Sequence, residues 1–180
     1  MKKFKILTVV VLSGFLLLQA CDDDLFDVSE TFTFEHEFVV YSEETSAELT
    51  SLVNLSQEQD LINQYGSKIK SIEVQGVKYW LKSFTGSEEQ MMNTLQLQVA
   101  NPDGSDAKTM VQLENIALHQ LLNSPVDLPI NTEGVSKLED LVEVAPHSLM
   151  YFLDVSINEV PADFTIVFEI TAKMTANPLN

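Results

Sequence analysis

Phe164-Thr165-Ile166-Val167-Phe168-Glu169-Ile170-Thr171-Ala172-Lys173-Met174 puts an apolar side chain at every second position. That period belongs to a β-strand with one face in a core, because successive side chains point to opposite sides of the sheet. Immediately upstream, Leu149, Tyr151, Leu153, Val155 and Ile157 repeat the period, and residues 158–163, with Pro161, connect the two strands as a loop. Two long, one-sided strands in succession predict an antiparallel sheet that covers a core with one face.

Outward from this pair the same period recurs. Phe32, Phe34, Phe38 and Val40 share one face of an expected first strand over 31–41, and Ala47, Leu49, Ser51, Val53 and Leu55 suggest its neighbour. Ile72 and Val74, then Val77, Tyr79 and Leu81, keep period two but change phase across Gln75-Gly76, which predicts a β-bulge or bend. Leu95, Leu97 and Val99 form another strand, followed by the turn-rich Asn101-Pro102-Asp103-Gly104-Ser105. Residues 110–122 read both ways: Val111 and Leu113 continue a strand, while Leu118, Leu121 and Leu122 suit a helix.

Two helices are expected. Ser56 offers an N-cap with Gln59 in the capping-box position, which predicts a helix over 57–65 stopped by Gly66. Thr132 caps the other, with Val135, Leu138, Leu141 and Val142 at helical spacing before Pro146; Pro125 and Pro129 make 123–131 an irregular connection. The result is a mainly β chain: an antiparallel β-sandwich of about seven strands with two short helices, spanning residues 31–180. An open sheet with a helix across it is the alternative.

The first 20 residues are of a different kind. Lys2, Lys3 and Lys5 precede an apolar run from Ile6 to Leu18 that is too short to span a bilayer, the pattern of a secretory signal peptide. Leu18-Gln19-Ala20-Cys21 resembles the bacterial lipobox, with Gln19 an unusual middle residue. The resemblance implies that Cys21 is acylated and becomes the mature N-terminus, and two or more acyl chains hold a protein stably on a membrane. Asp22, Asp23 and Asp24 resemble the acidic export signal behind the lipobox of surface-exposed lipoproteins in Bacteroidota. That likeness implies the outer membrane, with the cell surface as the expected side and the periplasmic face as the alternative. Residues 21–30 then form a lipidated acidic tether. The body resembles the small β-rich lipoproteins of the same bacteria, a likeness that brings no functional residue with it.

Loss of three leader lysines leaves seven cations against 27 carboxylates, a net charge of −20. Such a surface repels nucleic acid, whose binding depends on cations that neutralise phosphate. There is no Arg, so the bidentate fork that grips carboxylate or phosphate is missing. Lys68, Lys70, Lys78 and Lys82 read as a solvated strand face. The single Cys is assigned to lipid, which leaves no disulfide and no thiolate-held metal.

Sites of chemistry are sparse. His36 lies on the apolar face of the first strand, and His36-Glu37-Phe38-Val39-Val40 lacks the second His of the helical zinc-protease motif. His119 and His147 are isolated. No Gly-x-Ser-x-Gly segment presents a nucleophile, and carboxylates are too abundant for any pair to be informative. Asp103 and Asp106 flank a turn that could offer oxygen ligands to calcium, but the EF-hand pattern is absent and a plain turn is expected. Trp80 points away from the face of Tyr79, and an outward aromatic is the possible binding surface. The chain therefore reads as a non-enzymatic envelope lipoprotein that binds a protein or a glycan without a cofactor. A structural accessory subunit of an outer-membrane complex is the alternative, and a calcium-linked or hydrolytic enzyme comes third.

Overall fold

The computed structural model of the chain describes residues 26–179; Cys21, Asp22, Asp23 and Asp24 lie outside the described residues. The strands are β1 (Val28–Ser42), β2 (Ser46–Asn54), β3 (Ile69–Phe84), β4 (Met91–Ala100), β5 (Lys108–Ala117), β6 (Val126–Asp127), β7 (Ser148–Ile157) and β8 (Ala162–Ala176). Sheet A has the order β1-β8-β3-β6 and sheet B the order β2-β7-β4-β5, with every neighbouring pair antiparallel. The expected antiparallel β-sandwich is the fold, with an eighth strand in place of about seven. The addition is β6, two residues between Pro125 and Pro129 that pair with Lys78 and Tyr79 at the edge of β3. Too short to show a period, it left no signal in the sequence.

The strongest alternation occupies the most buried place. β8 is flanked by β1 and β3, and its inward residues from Ala162 to Ala176 are all buried. Each fully buried Phe or Ile there contributes about 1.5–3 kcal/mol through removal of apolar surface from water. β1 runs beside β8 without a break, from Val28 opposite Ala176 to Ser42 opposite Ala162, so the strand begins ahead of the expected residue 31. β3 meets the other side of β8 with register shifts at Ile69/Ser71, Val74/Gly76 and Leu81/Ser83. The middle one is the bulge expected at Gln75-Gly76. Its freed Val74 N–H donates to the Glu139 carboxylate at 2.8 Å, which ties the bulge to a helix.

That helix, α3 (Thr132–Glu143), contacts β3 of sheet A and β4, β5 and β7 of sheet B. Val135, Leu138 and Val142 are buried along its inner stripe. Gly134 is where it touches most closely, since a Cβ there would run into the Met110 backbone and the Thr109 carbonyl. The cap is Asn131 rather than the expected Thr132: its side chain accepts from the Glu133 N–H at 2.9 Å. The other expected helix, over 57–65, is two pieces, α1 (Leu55–Glu58) and α2 (Asp60–Tyr65), broken where Gln59 is extended. The Ser56 hydroxyl donates to Asn54 Oδ1 at 2.6 Å instead of capping, so the capping box does not form. The ambiguous 110–122 segment contains both elements, β5 and then a 3-10 turn over Leu118–Leu121.

Between the sheets, rings link both layers. Phe168 on β8 meets Phe38 on β1 at 6.2 Å between centroids, His36 meets Phe38 at 4.8 Å, and Tyr151 on β7 meets His36 at 5.1 Å. Among the described residues no helix is long and apolar enough to cross a membrane.

Candidate functional site

The residues singled out by sequence reasoning fall in separate places. His36 is half-buried in the aromatic row, and burial holds its imidazole below the usual value against the opposing pull of Glu37. His147 is buried at the helix end, where its Nδ1–H donates to the Val142 carbonyl at 2.8 Å. His119 is exposed on the 3-10 turn. Tyr151 is fully buried, which pushes its phenol above the ordinary value, and its hydroxyl has no partner among the described residues.

Asp103 Oδ1 accepts from the Ser105 N–H at 2.9 Å and from the Ser105 hydroxyl at 2.6 Å, bonds that hold this carboxyl below its usual range. With Gly104 at φ +82° this is the turn that the sequence predicts. Asp106 takes Lys137 Nζ at 2.8 Å and Lys108 Nζ at 3.6 Å, and the Lys137 bond likewise holds its carboxyl below the usual range. The two carboxylates therefore serve different partners. Among the described residues no group of three His, Cys, Asp or Glu side chains is arranged to hold a metal.

Trp80 stands on the outer face of sheet A, half-buried, opposite Val167 of β8. Glu37 lies on the other side of Val167, and Lys82 reaches it at 2.7 Å, so an ion pair bridges from β3 to β1 over the central strand. The Glu37 bond raises the Lys82 ammonium above its ordinary value. Val167 is buried beneath this arrangement although it faces away from the core. Val39 and Tyr41 follow on β1, 65% and 69% exposed. Lys70 pairs with Asp27 at 2.9 Å, and Lys68 donates to the Pro178 carbonyl at 2.6 Å. The lysines of the predicted strand face are thus committed to carboxylates and a carbonyl of sheet A and its flanks, apart from Lys78.

A second surface was not legible in the sequence. The outer face of sheet B carries an open groove of about 350 Å³. Its floor is a rung across all four strands: Glu48 on β2 opposes Asp154 on β7, Asp154 opposes Gln96 on β4, and Gln96 opposes Gln112 on β5. The next rung bears hydroxyls, with Ser46 opposite Ser156 and Ser156 opposite Thr94. Gln96 Nε2 donates to Thr109 Oγ1 at 2.8 Å, which fixes that carboxamide in place. Toward the other end, Gly104 sits over Phe152 and Met150, where an added Cβ would lie 3.3 Å from Phe152 Cζ and 3.7 Å from Met150 Sδ. Lys137 holds this loop by donating to Asn101 Oδ1 at 2.7 Å as well as to Asp106.

No protein-family model matches the chain, and no curated protein does. Among solved structures, it is similar to one from Desmodium yellow mottle tymovirus at 7% identity, over 85% of this chain and 91% of that one, with a TM-score of 0.39. One from turnip yellow mosaic virus gives 8% identity, 85% and 96% coverage and a TM-score of 0.38. A third, from the carbohydrate-binding modules of promiscuous specificity in the β-sandwich superfamily, gives 13% identity, 79% and 54% coverage and a TM-score of 0.31. These likenesses carry no argument about what the chain binds. The class rests on the strand registers themselves: a two-sheet antiparallel sandwich with one polar, open outer face.

Proposed function

We propose that this chain is a lipid-anchored lipoprotein of the bacterial outer membrane, displayed at the cell surface, whose β-sandwich is a non-enzymatic binding module. The groove on sheet B is the observation that carries the reading. It is open, it crosses all four strands of the sheet, and it is lined by side chains that exchange hydrogen bonds with water or with a ligand. The space between the sheets is occupied by apolar residues of both layers. The buried histidine is used as a helix-end fastener, and the turn carboxylates are held by Ser105 and by lysines. Cys21 supplies the anchor in this reading, and Asp22, Asp23 and Asp24 the route outward. Trp80 marks the other outer face, the second place where a ligand can be sought.

Anchoring and display are tested on intact cells producing the full chain. Protease removes the domain from whole cells in the expected result, and Cys21→Ala releases it from the membrane fraction. Protection until lysis would place the domain on the periplasmic side and remove the surface assignment. Binding is tested with the full lipoprotein in detergent micelles against immobilised glycans and extracellular proteins. A retained ligand that is lost in Gln96→Arg supports the module, and the absence of any groove-dependent ligand overturns it.

A further inference from the structure

We propose that the groove on sheet B takes an uncharged glycan segment of about three rings, laid across the strands along the Glu48, Asp154, Gln96 and Gln112 rung. This rests on the reading of that groove as the ligand site and adds the class and orientation of the ligand.

Charge is partitioned between the two outer faces. Of the seven lysines beyond the leader, Lys70, Lys78 and Lys82 belong to β3 and Lys173 to β8, all in sheet A, and Lys68 lies just ahead of β3. Lys108 and Lys137 hold Asp106 at the end of β5. The groove of sheet B is lined by none of them. Its two carboxylates stand directly opposite each other, an arrangement that is unfavourable in a sheet unless something is gained from it. On sheet A the comparable cross-strand pair, Glu35 opposite Glu169, has Lys78 as the next residue of its rung. On sheet B the rung continues into two carboxamides instead.

A row of carboxylate, carboxylate, carboxamide and carboxamide flanked by hydroxyls offers both acceptors and donors, the complement of a polyhydroxylated ligand. Hydroxyl groups donate to the carboxylates in charge-assisted bonds, which are shorter and stronger than bonds between uncharged partners. The same hydroxyls accept from the carboxamide N–H groups, which carboxylates alone could not offer. Uronate, sulfate or phosphate groups meet only like charge, with no lysine or arginine to receive them. Strands repeat at about 4.8 Å, so the rung spans roughly 14 Å, close to the advance of a few pyranose rings in an extended chain. Phe152 supports the Gly104 loop, which closes the end of the face next to the groove, so the ligand is held mainly by hydrogen bonds.

The test is a calorimetric titration of the full lipoprotein in detergent micelles. The probes are hexasaccharides of glucose, mannose, galactose and xylose, with hexagalacturonate and a lysine-rich peptide alongside. At least one uncharged hexasaccharide is expected to bind, with affinity rising up to three or four rings in shorter homologues and flat beyond. Hexagalacturonate is expected to be weaker by about tenfold or more because like charges are brought together. Gln96→Ala with Gln112→Ala reduces binding of the uncharged chain by about tenfold, the loss of two or so hydrogen bonds. Glu48→Gln with Asp154→Asn lets hexagalacturonate approach the affinity of its uncharged counterpart, a change in discrimination that a purely structural role would not produce. Circular dichroism and the melting midpoint establish that each variant is folded. Equal affinity for the acidic chain, or no binding of any uncharged hexasaccharide, overturns the ligand class. Groove-dependent binding of the peptide alone overturns the class while leaving the groove as the binding site. Binding that survives every groove variant and falls in Trp80→Ala overturns both, because the ligand then sits on sheet A.

Discussion

Replacing Asp154 with Asn should make the protein more stable, although it removes a charged side chain from the center of the sheet B groove. Glu48 and Asp154 are directly opposed on β2 and β7, and neither has an ion-pair partner among the described residues. Side chains so placed have Cβ atoms about 5 Å apart, and a pairing of this kind changes stability by about 0.2–1 kcal/mol. Glu48 is exposed and Asp154 half-buried, so solvent screens part of the repulsion and about 0.5 kcal/mol is the expected gain. For a domain of this size that raises the melting midpoint by roughly 1–2 °C. Glu48→Gln should give a similar gain, and the double variant little more than either, because the first substitution has already removed the shared term. At about 1 M salt, where screening acts over about 3 Å, the difference should nearly vanish. Thermal melts of the full chain at low and high salt, with Glu43→Gln on an exposed loop as a control, decide the matter. A lower midpoint in Asp154→Asn, or strictly additive gains, would refute the account of the rung as an unrelieved like-charge pair.

Other residues give predictions of different kinds. Burial lowers the affinity of His36 for its proton in the folded protein, so the unfolded chain is protonated first as pH falls. The stability tied to the uncharged ring is intact above about pH 6.5 and is lost as pH drops through the lowered folded value. His36→Phe should therefore gain on the parent protein between about pH 7.5 and about pH 5 in chemical denaturation, and an equal difference at both ends would count against it. Tyr151→Phe removes a buried hydroxyl with no partner among the described residues and should stabilise the fold by up to about 1–3 kcal/mol of relieved desolvation in urea unfolding, whereas a loss of stability would reveal a bond to buried water. Gly134→Ala should cost about 1–3 kcal/mol in urea unfolding, because the new methyl forces α3 away from the Met110 backbone; no change would mean that the helix shifts freely.

What could be read in the chain, and what could not, follows from the range of each signal. Period two is local, so the inward residues of β1, β7 and β8 and the bulge near Gly76 were all legible. Capping is decided by competition among neighbouring polar groups. Ser56 reads as a cap, yet its hydroxyl goes to Asn54, while Asn131 takes the position that Thr132 suggested one residue later. β6 lies beyond any pattern, because two residues between prolines become a strand only through the edge that β3 presents. One of the two inner strands of each sheet is among the last in the chain, β8 beside β3 and β7 beside β4, so much of the order of neighbours depends on contacts distant in sequence. A local period says which face of a strand is apolar but not which distant strand lies beside it, so no pattern announces such contacts.

The same distinction explains why Trp80 stands out in the sequence and the polar rung of sheet B does not. An outward Trp announces itself by residue type, whereas Glu48, Gln96, Gln112 and Asp154 are each an ordinary polar residue on the wet side of an amphipathic strand. Their meaning comes from register: three successive pairings place them on one rung, and a slip of a single residue in any pairing would turn a strand's set to the opposite face. That register is held from the other side of the sheet. Leu49, Leu153 and Leu97 form an inward rung beside the polar one, opposed in the same order on β2, β7 and β4. Apolar burial on one face thereby positions hydrogen-bonding groups on the other. Slipping the rung would expose Leu153 and Leu97, both essentially fully buried, at about 1.5–3 kcal/mol each. The repulsion between Glu48 and Asp154 is smaller than that by severalfold, so the sandwich can hold two carboxylates side by side at its surface without losing the register that brings them together.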